Sequence, residues 1–314
     1  MTPQPFPSVL IAGDASRTLG ETLARELGLQ LAPAEVGSFA DGEMRVEIGA
    51  DVRDATVILL QSTCPPVNDR LMALALMSDA ARAAGAARII AVAPYFGYAR
   101  QERRGRVGEP RSAQVAARLL HAVGLDHLVT LDLHAPALES AFPMPATLLE
   151  AQEVFLPLVR TWVGQDPTVI VAPDAGAVKR AQRFAAALGT SASIAVVTKR
   201  RPQPDVAGVR QVLGHVEGRT CLLVDDMVST GQTLDGAAEA LKAASARTVH
   251  ALFTHAVMAP GALERLLASP LARLATSDSV TPPAHPRLEI AATTPVLAGA
   301  LRQLIRFGLP PMWG

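Results

Sequence analysis

Two adjacent carboxylates, Asp225 and Asp226, end an apolar run of the chain and stand directly before a short turn. The turn consists of Ser229, Thr230, Gly231, Gln232 and Thr233. Where such a turn leads into a helix, its backbone N–H groups and the helix dipole both favour a bound phosphate. The two acids suit ribose hydroxyls or a hydrated metal ion. The segment therefore predicts a site for a phosphorylated ribose; the alternative is an ordinary strand–turn–helix with a capping Ser or Thr.

Apolar runs of strand length alternate with alanine-rich helical stretches through nearly the whole chain. The strand-like runs are residues 8–13, 56–62, 88–94, 127–133, 168–174, 194–198, 220–226 and 248–257. The helical stretches between them are residues 71–84, 112–123, 177–188 and 233–244. This order predicts an α/β fold with two similar domains, each a mostly parallel sheet flanked by helices.

The domain boundary is expected at a break near residues 143–152. It separates an N-terminal domain, 1–148, from a C-terminal domain, 149–293, which carries the sugar-phosphate turn. The final stretch, 294–314, contains a helical segment that we expect to pack back on the N-terminal domain. Ligands of open α/β sheets bind at the carboxyl ends of the strands, so the residues that follow each strand are the candidates for function.

Two such strand ends carry potential metal ligands. His134 directly follows one predicted strand, and Asp174 is the last residue of another. If the two are brought together, they can hold a hydrated Mg²⁺ that also touches substrate phosphates. A single histidine after a strand is more often structural, so this pair gains weight only beside the other segments.

Two basic segments also follow predicted strands. Residues 95–106 combine aromatic residues, glycine and four arginines, and include Arg100 and Gln101. Arginine grips phosphate oxygens and stacks on bases, so a nucleoside triphosphate is a sensible ligand, against the alternative of a solvated basic loop. Lys199 and Arg201 lie in a second cluster that can neutralise charge developing in phosphoryl transfer; alone, it reads as a surface turn.

A weaker nucleotide-binding segment lies near the start of the chain. Phe39 offers a stacking face, and Asp41 and Glu43, on either side of Gly42, can accept hydrogen bonds from a nucleotide. An Asp-Gly pair is equally common in plain turns, so the segment alone decides nothing.

The composition excludes several classes of protein. The 314 residues carry a formal net charge of zero, which argues against binding to nucleic acid or to a membrane surface. The chain has two cysteines, too few for a disulfide framework or a metal site. The N-terminus lacks the features of a signal peptide, and no apolar run reaches membrane-spanning length. We expect a cytoplasmic protein.

In this order the segments resemble the ribose-phosphate pyrophosphokinase family, which has a phosphoribosyltransferase-like fold. Residues 95–101 and 224–227 are the most specific parts of a resemblance that extends over nearly the whole chain. It implies transfer of the diphosphoryl group of ATP to the 1-hydroxyl of ribose 5-phosphate, giving 5-phosphoribosyl 1-diphosphate (PRPP) and AMP, with Mg²⁺ as cofactor. It also implies a homo-oligomer, with a dimer as the smallest form and a hexamer as the usual form in the family.

The resemblance also assigns a role to each candidate. The ATP-binding residues are Phe39, Asp41, Gly42, Glu43, Arg100 and Gln101, and Phe39, Asp41 and Glu43 reach in from a neighbouring subunit. His134 and Asp174 bind Mg²⁺, and Lys199 and Arg201 stabilise the transition state from a flexible loop. Ribose 5-phosphate is held by Arg201, Asp225, Asp226, Ser229, Thr230, Gly231, Gln232 and Thr233.

The chain departs from the family pattern at several positions. Ser229 replaces a carboxylate, and Gln232 replaces a glycine, where a side chain narrows the phosphate cradle if the backbone needs a positive φ. Residues 135–142 also differ from the family pattern. Two alternatives therefore stay open: a catalytically weak or inactive regulatory homologue, and a phosphoribosyltransferase that uses PRPP as its substrate.

Overall fold

The structure, a computed structural model, describes residues 7–134, 138, 140, 142–164, 166–189, 192–200 and 209–307. The chain divides into two compact units. Unit 1 comprises Met1–Glu150, Ser279–Thr281 and Thr293–Gly314, and unit 2 comprises Ala151–Asp278 and Pro282–Ala292. The Arg201 position lies outside the described residues, as do 135–137, 139 and 141 of the divergent segment 135–142.

Unit 1 contains a six-stranded parallel sheet and a separate two-stranded hairpin. Its strands are β1 (Ser8–Ala12), β2 (Leu31–Ala32), β3 (Ala34–Ser38), β4 (Met44–Ile48), β5 (Thr56–Leu60), β6 (Arg88–Ala93), β7 (His127–Leu131) and β8 (Ala146–Leu149). Its helices are α1 (Arg17–Leu27), α2 (Val67–Ala83), α3 (Ser112–Ala122) and α8 (Thr294–Phe307). The sheet order is β2-β1-β5-β6-β7-β8, and β3 pairs with β4 in the antiparallel hairpin.

The core of unit 1 explains why its central strands are continuously apolar. Every residue of β5 and β7 is buried, as expected for parallel strands that are covered by helices on both faces. The C-terminal helix α8 packs Leu297 and Leu301 into the same core as Leu19 and Leu23 of α1. Because of this contact, the end of the chain returns to unit 1.

Unit 2 contains a seven-stranded sheet. Its strands are β9 (Thr168–Ala172), β10 (Ser193–Arg200), β11 (Val209–Leu213), β12 (Thr220–Val228), β13 (Thr248–Ala256), β14 (Arg273–Ser277) and β15 (Leu288–Ala291). Its helices are α4 (Ala151–Val163), α5 (Val178–Leu188), α6 (Gln232–Ala243) and α7 (Ala262–Ala268). The order is β11-β10-β9-β12-β13-β14-β15, and among the described strands of this sheet only the edge pair β10–β11 is antiparallel.

The two units share one topology. The order β2-β1-β5-β6-β7 in unit 1 matches β10-β9-β12-β13-β14 in unit 2, with the first two strands on one side and later strands on the other. The order reverses between β1 and β5 in unit 1, and between β9 and β12 in unit 2. Such a reversal opens a crevice at the carboxyl ends of the strands, where ligands bind.

The predicted fold class is confirmed, and each predicted strand and helix lies within a few residues of an observed one. The elements that were not predicted are helices α1, α4 and α7 and strands β2, β3, β4, β8, β11 and β14. The expected break at 143–152 contains strand β8 and the first two residues of α4. In the described residues, no helix combines the length and the apolar character that a membrane crossing requires.

Candidate active site

The paired acids lie in the last part of β12, at the reversal point of the unit 2 sheet. Asp226 is buried, and 14% of the Asp225 side chain is exposed. The Asp226 N–H donates a hydrogen bond to Asp225 Oδ1 at 3.0 Å. Arg180, in the first turn of α5, places Nη1 3.9 Å from Asp225 Oδ1 and 3.6 Å from Asp226 Oδ1. One guanidinium, with 10% of its side chain exposed, thus lies near both carboxylates.

This arrangement perturbs the acidity of Asp225. Burial raises the pKa of its carboxyl well above the ordinary value, and the neighbouring Asp226 and Asp174 carboxylates raise it further. Arg180 acts in the opposite direction on the same pKa. A group that donates hydrogen bonds to these carboxylates, or a cation beside them, would relieve this repulsion. The site is therefore suited to sugar hydroxyls or to a hydrated cation.

The turn after β12 has its special backbone conformation at Gly231. Its φ is +76°, and a Cβ at this position would lie 3.1 Å from the Ala262 carbonyl oxygen. Gln232 is the first residue of α6, with an exposed side chain and no positive φ. The glycine lost at position 232 is therefore not required for backbone geometry. Within the described chain no side chain caps α6, so its first N–H groups are available to an anion.

A pocket of about 320 Å³ lies beside this turn. Its lining includes Asp174, Thr198, Arg210 and Thr233. Asp174 is exposed at the end of β9, where its Oδ1 accepts a hydrogen bond from the Ala177 N–H at 3.1 Å. The pocket therefore has acidic, hydroxyl and cationic groups in its wall, as a sugar phosphate requires.

Lys199 lies near the end of β10, the strand beside β9. In the antiparallel ladder it is paired with Arg210 of β11. The segment that joins the two strands contains Arg201, whose position lies outside the described residues. The structure thus brings the backbone of Lys199 to the same edge of the sheet as the paired acids.

In unit 1 the first nucleotide-binding candidates form the tip of the β3–β4 hairpin. The tip is closed by the Phe39 N–H, which donates to the Glu43 carbonyl at 2.8 Å. The Glu43 N–H donates to Asp41 Oδ1 at 3.1 Å, and Gly42 has a φ of +95°. Phe39 is 54% exposed, a large exposure for an aromatic ring. The tip presents this ring and two carboxylates to the surface of unit 1.

Arg100 and Gln101 follow β6 and are both exposed. The Gln101 side-chain oxygen accepts a hydrogen bond from the Ser112 hydroxyl, which ties this loop to the start of α3. Tyr95 and Phe96, by contrast, are buried, and the Phe96 ring packs edge-on against Phe142 at 5.3 Å. The two aromatic residues nearest β6 thus belong to the core and do not present a stacking face.

His134 follows β7, the neighbour of β6, and is exposed. It belongs to unit 1, whereas Asp174 belongs to unit 2. Among the described residues, no three His, Cys, Asp or Glu side chains are grouped closely enough to hold a metal ion. An exposed carboxylate next to a repelling acidic pair fits Mg²⁺ that keeps most of its waters and is completed by substrate phosphates.

Comparisons with known proteins identify the family. The model of the N-terminal domain of ribose phosphate pyrophosphokinase matches residues 8–124, and a phosphoribosyl transferase domain matches residues 142–266. A ribose-phosphate pyrophosphokinase from Vibrio vulnificus is 44% identical over 302 residues, covering 95% of this chain and 94% of that protein. One from Caldanaerobacter subterraneus is 39% identical over 298 residues, with 94% of each chain covered. The chain belongs to the ribose-phosphate pyrophosphokinase family.

A solved structure supports the same assignment. The phosphoribosylpyrophosphate synthetase from Mycobacterium smegmatis matches with a TM-score of 0.90 and 31% identity, covering 96% of this chain and 100% of that one. The phosphoribosyltransferase-like fold predicted from the sequence is thereby confirmed.

Two arginines of this ribose-phosphate pyrophosphokinase family member were missed in the sequence. The sequence does contain a signal for Arg180, because this residue lies in the helix that follows the Asp174 strand end, and the first turn of that helix faces the same crevice. For Arg210 the sequence contains no such signal. Its place in the pocket depends on the β10–β11 register, which local patterns do not determine.

Proposed function

We propose that this protein transfers the diphosphoryl group of ATP to the 1-hydroxyl of ribose 5-phosphate, giving 5-phosphoribosyl 1-diphosphate and AMP. The observation that carries the proposal is the pair Asp225 and Asp226, set beside an uncapped helix N-terminus in a member of this family. A sugar that carries both hydroxyls and a phosphate matches this combination of acceptors and donors.

On the acceptor side, the paired carboxylates accept hydrogen bonds from the ribose hydroxyls. The 5-phosphate lies in the turn of Ser229, Thr230, Gly231, Gln232 and Thr233, where backbone N–H groups and hydroxyls donate to its oxygens. Arg180 keeps the buried carboxylates in place, and its charge favours their ionised forms. The sugar is thus oriented with its 1-hydroxyl open to the second substrate.

The reaction needs no covalent intermediate. The 1-hydroxyl oxygen bonds to the β-phosphorus of ATP while the bond from that phosphorus to the bridging oxygen of AMP breaks, and the hydroxyl proton is released. Lys199 and Arg201 stabilise the negative charge of the transferring group, since positioning and electrostatics dominate such transfers. His134 and Asp174 would hold a Mg²⁺ ion, which would neutralise charge on the phosphate oxygens.

On the donor side, we assign ATP binding to Phe39, Asp41, Gly42, Glu43, Arg100 and Gln101. The exposed ring of Phe39 and the exposed Arg100 supply stacking and phosphate contacts. Phe39, Asp41 and Glu43 serve a neighbouring subunit, which makes a homodimer the smallest complete enzyme and a hexamer an option. We place the enzyme in the cytoplasm, where ATP is available and where its two free, buried cysteines stay reduced.

A single assay tests the proposal. The purified protein is incubated with ATP, ribose 5-phosphate and Mg²⁺, and AMP and PRPP are both measured. We expect equimolar AMP and PRPP, and no reaction when ribose 5-phosphate or Mg²⁺ is omitted. A folded protein that binds ATP but forms neither product would instead be a regulatory homologue. Consumption of added PRPP with a nucleobase would indicate a phosphoribosyltransferase.

A further inference from the structure

Arg210 lies against the first turn of the helix that follows the paired acids. Its Nη2 donates a hydrogen bond to the Gln232 carbonyl oxygen at 3.0 Å, and its side chain lines the pocket shared with Thr233 and Asp174. In the β10–β11 ladder it is the partner of Lys199. The guanidinium has five N–H donors, so a single carbonyl leaves most of them for another acceptor.

Gly236 explains how the guanidinium comes so close to the helix. A Cβ built on this glycine would lie 1.9 Å from Arg210 Cζ and 2.0 Å from its Nη1. Gly236 stands inside α6, where glycine costs about 1 kcal/mol relative to alanine. The helix thus contains an unfavourable residue at the one place that lets Arg210 lie flat against its surface.

The positive charge of Arg210 is in an electrostatically unfavourable place unless an anion binds beside it. A cation is unfavourable at a helix N-terminus, because the helix dipole is positive there. In the described part of the chain, no carboxylate forms an ion pair with Arg210. A phosphate between the guanidinium and the first N–H groups of α6 would neutralise the charge of Arg210 and accept hydrogen bonds from the helix.

We propose that Arg210 binds the 5-phosphate of ribose 5-phosphate, and that Gly236 is the residue that admits it to the site. The inference rests on the proposed function and adds a specificity residue to it. Arg210 selects for the phosphorylated sugar, since its guanidinium gains a charge-assisted hydrogen bond only when the phosphate is present.

The test compares Arg210→Gln with the unaltered enzyme and with Arg265→Gln. Arg265 Nη1, in α7, lies 3.9 Å from Oδ2 of Asp235, a residue in the first turn of α6. Because Arg265 is not part of the pocket lining, its loss controls for a general change in charge. For Arg210→Gln, the loss of a charge-assisted hydrogen bond is expected to raise KM for ribose 5-phosphate by roughly ten- to a hundredfold. The KM for ATP should stay within about twofold of the unaltered value in both variants.

Gly236→Ala provides an independent arm. The new methyl group displaces the guanidinium, so this variant should raise KM for ribose 5-phosphate as Arg210→Gln does, without loss of thermal stability. In the Arg210→Gln background the same change should have almost no further effect, since the two residues act through one contact. A folding defect would appear in the melting temperature and not in this pattern.

The outcomes separate the two proposals. An unaltered enzyme that makes no PRPP refutes the proposed function itself. An active enzyme in which Arg210→Gln leaves KM for ribose 5-phosphate unchanged refutes only the role of Arg210. A rise in KM for ATP alone would also refute it, because the guanidinium would then serve the donor phosphates.

Discussion

Matching strands of the two units carry different side chains near their carboxyl ends, buried and uncharged in unit 1 and acidic in unit 2. The third parallel strand in spatial order is β5 in unit 1 and β12 in unit 2. After β5 come Gln61, Ser62 and Thr63, which are fully buried and uncharged. Strand β12 carries Asp225 and Asp226 instead, beside an open pocket. One topology thus supports a closed polar core in one unit and an acidic strand end beside an open pocket in the other.

The closed end of unit 1 is filled by its own hydrogen bonds. Gln61 Nε2 donates to Asp14 Oδ1 at 2.7 Å, and Gln61 Oε1 accepts from the Ala15 N–H at 3.2 Å. The Ser62 hydroxyl donates to the Ser279 carbonyl oxygen. Because these groups satisfy one another, this strand end is a closed hydrogen-bonded core. The candidate ATP residues of unit 1 lie elsewhere, on the hairpin tip and the loop after β6.

The largest effect is expected where the transfer itself takes place. Lys199→Ala should lower kcat by about a hundred- to a thousandfold, the usual loss when a group that stabilises transition-state charge is removed. Its KM for ATP should change little. Arg100→Ala, in unit 1, should instead raise KM for ATP by about tenfold with a smaller effect on kcat. Steady-state kinetics of the two variants would contradict this division if Lys199→Ala kept its turnover.

A second test sets the matching strand ends against each other. Asp225→Asn should lower kcat/KM for ribose 5-phosphate by about a hundredfold, because a charged acceptor of sugar hydroxyls is lost. The stability of Asp225→Asn should not fall, since the substitution removes a buried carboxyl whose pKa is already raised by burial and by Asp226.

Gln61→Leu should leave the kinetics intact but cost about 1–3 kcal/mol of unfolding free energy, since Asp14 and Ala15 lose their hydrogen bonds to the Gln61 side chain. Steady-state kinetics and urea unfolding of both variants test this comparison. A catalytic defect in Gln61→Leu would contradict the purely structural role of the strand end after β5.

The contrast also explains which features were predictable from sequence. The paired acids and the following turn are contiguous, so their chemistry and their strand end were both predicted. Arg210 reaches the site only through cross-strand pairing, and Arg180 through the packing of α5 on the sheet. The hairpin tip of Phe39 and Glu43 was recognised as a candidate, but its strands were not predicted, because their exposed residues leave little apolar pattern. Arg180 could have been suspected from its place in the helix after Asp174, whereas Arg210, which depends on strand register alone, leaves no local signal.

Two buried histidines, His127 in unit 1 and His250 in unit 2, make stability depend on pH. Burial lowers the pKa of His127 in β7 to about 4, and burial together with the charge of Arg273 lowers the pKa of His250 in β13 to about 4. The unfolded chain, with histidine pKa near 6.5, binds more protons between roughly pH 4 and 6.5, so stability falls as the pH drops through this window.

The expected loss is about 2 kcal/mol for each histidine between pH 7 and pH 5. The raised pKa of Asp225 acts in the opposite direction, so the histidines are best isolated by difference. His127→Gln and His250→Gln should each flatten the pH dependence of the urea unfolding free energy by a similar amount. An unchanged pH dependence in His127→Gln would show that its imidazole titrates normally in the folded state.

The smallest effect is expected at Gln232, where the family glycine is missing. Gln232→Gly should change kcat and KM by less than about twofold and lower stability by about 0.5–1 kcal/mol, because Gln232 already has helical geometry as the first residue of α6. Gly231→Ala is the matched control. Its φ of +76° and the 3.1 Å approach to the Ala262 carbonyl predict a cost of about 1–2 kcal/mol and a weakened phosphate cradle. If Gln232→Gly instead raised activity severalfold, its side chain would be shown to obstruct the cradle, and the strand end of unit 2 would be less open than its backbone geometry indicates.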